Sequence, residues 1–439
     1  MKLLEHARKK VAGWPYGGVS VLAALAAFGC YTSMYAFRKA ISAATFEGQQ
    51  ELWQVDYKVW LVIAQVIGYT ISKFYGIRFV SELVSRRRAV SILVLIGIAW
   101  FALLAFAVVP APWNILLLFM NGLPLGMIWG LVFSYLEGRR STEFMAAVMA
   151  VSMVFASGLV KTVGRALIST FQVTEYWMPF LTGLLFVLPL LLFVACLELV
   201  PPPDEQDIKL RSQRSAMNAG SRIKMLRDFF PGLGLTVAAY LVLTVMRDIR
   251  DNFEVEIWAG MGVVASVIYA KVDSLIALLV LILMSLLILI KDNLKAFTVI
   301  HYLILAGCLL FGGTAFLFDP ATISPVSWMT ATGLGLYMAY IPYNAIFFER
   351  MIASFRVRGN VGFVMYIADA MGYLGSVIML LVKELVGAEM NWSDFFREGG
   401  LVVGLFGSGC VITSLCWFRY KAFLVNKENE LFSTIRKTI

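Results

Sequence analysis

The chain has 439 residues, 60% of them hydrophobic and 15% charged, with a mean hydropathy of +0.79. That balance excludes a water-soluble globular domain, which could not hide so much apolar surface. The formal charge of +9 does not indicate nucleic acid, because the basic residues are spread over many short intervals and form no stripe.

The chain opens with Lys2, Arg8, Lys9 and Lys10 ahead of an apolar run that starts at Val19. The run continues through Cys30 to Phe46, too far for a cleaved leader, and reads as an uncleaved first span. About 20 apolar residues are needed to cross ~30 Å of hydrocarbon. Runs of that kind fall near 19–46, 57–84, 89–109, 112–136, 143–169 and 177–199, and again near 231–251, 262–290, 296–318, 324–348, 359–385 and 399–420. Between the two sets, Pro201-Pro202-Pro203 opens a polar interval that ends at Phe230. The expected architecture is therefore an all-α integral membrane protein of twelve transmembrane helices, with one six-helix bundle over 1–199, a central loop over 200–230 and a second bundle over 231–439.

Lys and Arg concentrate on alternate loops. With the N-terminus cytoplasmic, the cytoplasmic segments hold 26 of the 37 basic residues, while the opposite loops carry Glu47, Glu51 and Asp56, and Asp251, Glu254 and Glu256 after span seven. Both termini are expected in the cytoplasm, and the compact loops suggest a bacterial inner membrane. The cysteines Cys30, Cys196, Cys308, Cys410 and Cys416 lie in apolar segments with no metal-ligand spacing, so neither a disulfide framework nor a zinc site is implied.

The halves echo each other. Tyr31 precedes Arg38 by seven residues and Tyr240 precedes Arg247 by seven, an offset of 209 that also carries Leu125-Gly126 onto Leu334-Gly335. Parallel repeats of six helices are a common build for carriers that rock around a central site.

A charge at the middle of a membrane helix costs roughly 2.5–3.5 kcal/mol on insertion scales, so one found there is a functional candidate. Arg38, with Lys39 beside it, lies too deep for easy snorkelling, and Arg247 is its repeat mate. Facing each other across the bundle, two guanidinium groups could clamp a phosphate or carboxylate. Lys73 could enter a cavity or snorkel to the interface. Lys161, Arg165, Lys271 and Asp273 are also embedded, and Asp369 is the foremost embedded acid, able to neutralise a cation or relay a proton. Pro124 and Pro342 mark kinks or bends. There is no Walker-type loop, no Ser/His/Asp or HExxH arrangement, and neither His6 nor His301 has a ligand partner nearby, so neither an enzyme nor a bound cofactor is indicated.

Tyr35-Ala36-Phe37-Arg38-Lys39, Ser72-Lys73-Phe74, the placement of Arg247 and Gly372-Tyr373-Leu374-Gly375 together resemble the major facilitator superfamily, and within it the organophosphate:phosphate antiporters. The resemblance implies that Arg38 and Arg247 grip an anionic group, that Lys73 adds charge, and that Tyr35 and Lys39 belong to the same binding region. It departs from the family in the 2/3-loop motif, degraded to Gly76, Glu82 and Arg86-Arg87-Arg88, and in lacking a span-five His. The resulting expectation is a monomeric secondary transporter of a small, phosphorylated organic anion, working with inorganic phosphate or protons in the lipid bilayer. A transporter-shaped receptor for such an anion and a proton-coupled carrier of a non-phosphorylated solute are the alternatives.

Overall fold

The structure, a computed structural model, describes residues 2–82, 87–210, 219–318, 322–355, 361–386 and 390–438. Arg86 of the basic stretch and residues 211–218 of the central loop lie outside the described residues. Apart from one isolated bridge between Leu52 and Val55, the described residues form helices, turns and loops. The first group is α1 (Lys2–Ala12), α2 (Tyr16–Arg38), α3 (Tyr57–Glu82), α4 (Arg88–Val108), α5 (Ile115–Leu125), α6 (Ile128–Phe133), α7 (Thr142–Ser169) and α8 (Met178–Leu199). A short α9 (Glu205–Leu210) leads to α10 (Ala219–Gly260), α11 (Ile268–Ile288), α12 (Asn293–Leu317), α13 (Pro325–Pro342), α14 (Phe348–Ser354), α15 (Val361–Val386), α16 (Trp392–Val402) and α17 (Ser408–Thr438).

Nine helical stretches among the described residues are long and apolar enough to cross a membrane. Three more have spanning length: α3 and α15, of 26 residues each, and the interrupted pair α13 and α14. Large apolar side chains such as Phe101, Leu188, Leu192 and Leu405 point outward, while Arg38, Lys39, Lys161, Arg250 and Glu254 lie inside. That inversion of the soluble pattern is what a lipid solvent selects. The chain is an integral membrane protein.

Burial sorts the helices into layers. The apolar windows of α2 and α7 are each 78% buried, against 33% for α4 and 28% for α8, so α2 and α7 stand at the centre and α4 and α8 face lipid. Helices α2 to α8 pack among themselves, as do α10 to α17, and the two groups meet along α3 against α15 and α7 against α11. Small residues make the close approaches. A Cβ on Gly158 of α7 would fall 2.4 Å from the Tyr269 carbonyl oxygen of α11, and one on Gly122 of α5 would fall 2.2 Å from that of Gln65 in α3.

Two spans end elsewhere than the hydropathy suggests. The apolar run of span one reaches Phe46, yet α2 stops at Arg38 and a short 3-10 turn, Ala40–Ala43, follows. The reason is a side-chain cap on the last carbonyls: Gln65 Nε2 donates to the Arg38 carbonyl at 2.8 Å and Asn121 Nδ2 to that of Phe37 at 2.9 Å. Span seven was expected to end near residue 251, with Asp251, Glu254 and Glu256 in an external loop. Instead α10 continues to Gly260 through a kink at Phe253, and Asp251 and Glu254 are buried. Their nearest countercharges, Lys39 and Lys161, come from distant helices, so the local run of acids misleads. Two further interruptions are π-helical turns, Tyr343–Phe347 directly after Pro342 and Val403–Gly407 between α16 and α17.

At the end of the bundle that carries the N-terminus, Asp207 of α9 accepts from the Arg140 backbone N–H at 2.9 Å, from Arg140 Nε at 3.1 Å and from the Asp204 N–H at 3.1 Å. Burial alone raises its pKa, but the N–H donors of Arg140 and Asp204 outweigh burial and hold it below the usual carboxylate range. A depressed carboxyl pKa stabilises the fold above its unfolded value and ceases to do so as pH falls through the folded value. The apparent melting temperature of the detergent-purified protein is therefore expected to hold near neutral pH and to fall as pH drops below the ordinary Asp range. Asp207→Asn should lower it at neutral pH and flatten that acid dependence. For packing, Gly122→Ala should destabilise by about 1–3 kcal/mol, because backbone blocks the new methyl. Gly97→Ala, which meets nothing within 4 Å, should leave the apparent melting temperature of the detergent-purified protein unchanged or slightly raised.

Candidate functional site

Where the two helix groups meet, a cavity of about 20 Å³ lies between α2, α3, α10, α15 and the π turn after α13. That is room for about one water molecule. Arg38, Lys73, Arg247, Asp369 and Asn344 supply its polar lining, and Tyr31, Tyr69, Trp129, Tyr340 and Tyr373 its aromatic walls, with Met153 and Met365 beside them.

The cations of this cavity are not equivalent. Lys73 is ion-paired to Asp369, whose other oxygen accepts the Tyr240 hydroxyl at 2.5 Å. Arg247 Nη2 lies 2.6 Å from Asp248 Oδ1, and Ser376 Oγ donates to the other Asp248 oxygen at 2.8 Å. Arg38 is only 2% exposed and makes no salt bridge among the described residues. Its guanidinium carbon sits 3.6 Å from the centroid of the Tyr69 ring, and its Nε has no hydrogen-bond partner. A cation–π contact is worth roughly 0.5–2 kcal/mol, less than the several kcal/mol that burying an ion costs. Arg38 is thus the under-neutralised charge of the cavity.

Beyond the cavity, toward the end opposite the N-terminus, a second cluster ties the helix groups together. Lys39 Nζ lies 3.0 Å from Asp251 Oδ2 and donates to Asn252 Oδ1 at 2.7 Å. Lys161 Nζ lies 2.7 Å from Glu254 Oε2 and donates to Ser157 Oγ at 2.5 Å, and Ser157 in turn donates to Asp251. Arg250 Nη2 pairs with Asp273 at 2.6 Å, and Lys58 pairs with Glu256. The cross-group lysines come from the first helix group and the carboxylates from the second. On the N-terminal side of the cavity the groups are joined by Arg350 and Glu143 at 2.6 Å.

A family model described as a family of unknown function, DUF5690, matches residues 40–421. The chain belongs to that family. A sequence search of curated proteins finds no match. Among solved structures, the chain is similar to a D-xylose-proton symporter, with a TM-score of 0.59 and 14% identity over 89% of this chain and 96% of that one. It is also similar to a point-mutant form of the nucleoside transporter NupG, with a TM-score of 0.57 and 14% identity over 91% of this chain and 100% of that one. At that identity the likeness establishes the fold, which is of the major facilitator type.

Of the residues singled out in the sequence, Arg38, Arg247, Lys73 and Asp369 converge on the cavity. Lys73 faces inward to an acid instead of snorkelling, and Asp369 neutralises it. Lys39, Lys161 and Asp273 belong to the outlying ion cluster. Tyr35 is buried against Tyr31, ring centroids 5.6 Å apart, and does not line the cavity. Asn344, Tyr69, Trp129 and Tyr340 escaped sequence reasoning, since Tyr and Trp read as ordinary apolar or interfacial residues, while Tyr31 and Tyr373 entered it only through the repeat and the Gly-Tyr-Leu-Gly motif. An Asn two residues after Pro342 in an apolar span was the available signal. Removing one partner of a buried pair costs about 3–5 kcal/mol. Lys161→Met is accordingly expected to lower the apparent melting temperature sharply, and adding Glu254→Gln to that variant to recover part of the loss.

Proposed function

We propose that the chain is a secondary transporter that carries a small organic anion by alternating access, the helix groups over 1–199 and 231–439 rocking about the central cavity. The observation that carries this reading is Arg38: a guanidinium buried between the two groups, facing a cavity, with no carboxylate partner among the described residues. A charge kept there at such cost is best explained by a mobile counter-ion. Arg offers a planar fork suited to carboxylate, sulfonate or phosphate, and the tyrosine and tryptophan walls suit the carbon body of an organic solute. The similarity in fold to a sugar symporter and a nucleoside transporter adds support for transport itself. The Lys/Arg bias supports placing the N-terminal face in the cytoplasm, here of a bacterial inner membrane.

The test is counterflow in liposomes, using labelled inorganic phosphate and labelled isethionate as impermeant anionic probes. Wild-type protein should accumulate at least one of them against an unlabelled internal pool. Arg38→Gln, checked for monodispersity, should lose about 30-fold or more, since truncating one side of a buried charge pair costs roughly 2–5 kcal/mol. An imposed pH gradient separates proton symport from exchange. Binding of a probe without flux would favour the receptor alternative, and neither binding nor flux would sink the anion assignment.

A further inference from the structure

We infer that the central site takes a monoanion, and that Asp248 and Asp369 set this charge selectivity; the inference rests on the anion-carrier reading above. Three cations converge on the cavity, which by count alone would suit a phosphate ester, whose charge near pH 7 is about −1.5 to −2. Two of those charges are already answered. Asp369 neutralises Lys73, and Asp248 neutralises Arg247 at 2.6 Å. Neither acid is free to swing aside without loss, because Tyr240 holds Asp369 at 2.5 Å and Ser376 holds Asp248 at 2.8 Å.

The neighbouring ion cluster does not alter the count. Lys39, Lys161 and Arg250 are balanced by Asp251, Glu254 and Asp273, and Lys58 by Glu256. Among the described residues, one unit of positive charge remains at the cavity, on Arg38. A carboxylate, sulfonate or singly charged phosphodiester matches it. A dianion would bring a second negative charge into a buried cavity beside two fixed carboxylates, where unmatched charge costs several kcal/mol.

The pair methanesulfonate and sulfate isolates charge, since both present tetrahedral sulfur–oxygen groups and differ by one unit. The thermal stability of the purified full chain is measured with each anion at equal ionic strength. Wild type should be stabilised by methanesulfonate at concentrations about tenfold lower than by sulfate, and Arg38→Gln should respond to neither. Asp369→Asn, and independently Asp248→Asn, should reverse the ranking in favour of sulfate. The double variant Lys73→Gln with Asp369→Asn restores the charge count and should restore the preference for methanesulfonate, which a purely structural role for Asp369 would not do. Sulfate binding wild type as tightly as methanesulfonate, or folded Asp variants keeping the wild-type ranking, would overturn the inference while leaving an anion site in place. If neither Asp variant folds, the wild-type ranking decides alone. A folded wild type indifferent to both anions would overturn this inference together with the carrier reading.

Discussion

Charge surrounded by hydrocarbon constrains this molecule more than any other feature. A carboxylate or ammonium taken out of water costs several kcal/mol even after relaxation, and only a close countercharge offsets it. In this chain the countercharges on the face opposite the N-terminus are divided between the two helix groups. Lys39, Lys58 and Lys161 stand on one, and Asp251, Glu254 and Glu256 on the other. Neither group could keep its share buried alone, so the ions act as an adhesive that works only while the groups are in register. The close backbone approach of α7 to α11 at Gly158 lets these side chains meet.

On the proposed function, the same physics would make that adhesive reversible. Replacing a buried ion pair by apolar packing is often neutral or stabilising, because Coulomb attraction barely exceeds the desolvation it requires. Lysines and carboxylates that separate into water regain hydration, so parting the helix groups at this end exposes groups that water solvates well. A leucine seam of equal area would expose apolar surface instead, at about 25 cal/mol per Å². A charged seam would therefore let closed and open arrangements lie near each other in free energy, as the proposed alternating access requires.

Much of this was legible in the sequence, for a reason tied to the solvent. Lipid demands long apolar runs, so the positions of most spans can be read from hydropathy, and depth marks Arg38, Lys73, Arg247 and Asp369 as unusual. What could not be read was partnership. Asp251 and Glu254 look like loop acids because Asp248, Arg250 and Asp251 crowd one stretch, and nothing local reveals that Lys39 and Lys161, about 210 and 90 positions away in the chain, reach them. The end of α2 was hidden similarly, since the capping amides belong to Gln65 and Asn121 on other helices. Lys73 was ambiguous until Asp369 was seen opposite it.

Arg38 stands apart because it lacks such a partner among the described residues, and that difference connects the site to the conformational balance. In the closed arrangement its guanidinium faces a space of about 20 Å³ and an aromatic ring. In any arrangement that opens the cavity, water would solvate it. The closed form is consequently handicapped by the desolvation of one unanswered charge, and an anion entering the cavity removes that handicap only if it stays when the cavity closes. On the proposed function, occupancy and closure are then coupled through a single electrostatic quantity. Asp248 and Asp369 determine its size, for without them the handicap would grow by two further charges, and with a second negative charge on the solute it would reappear with the opposite sign.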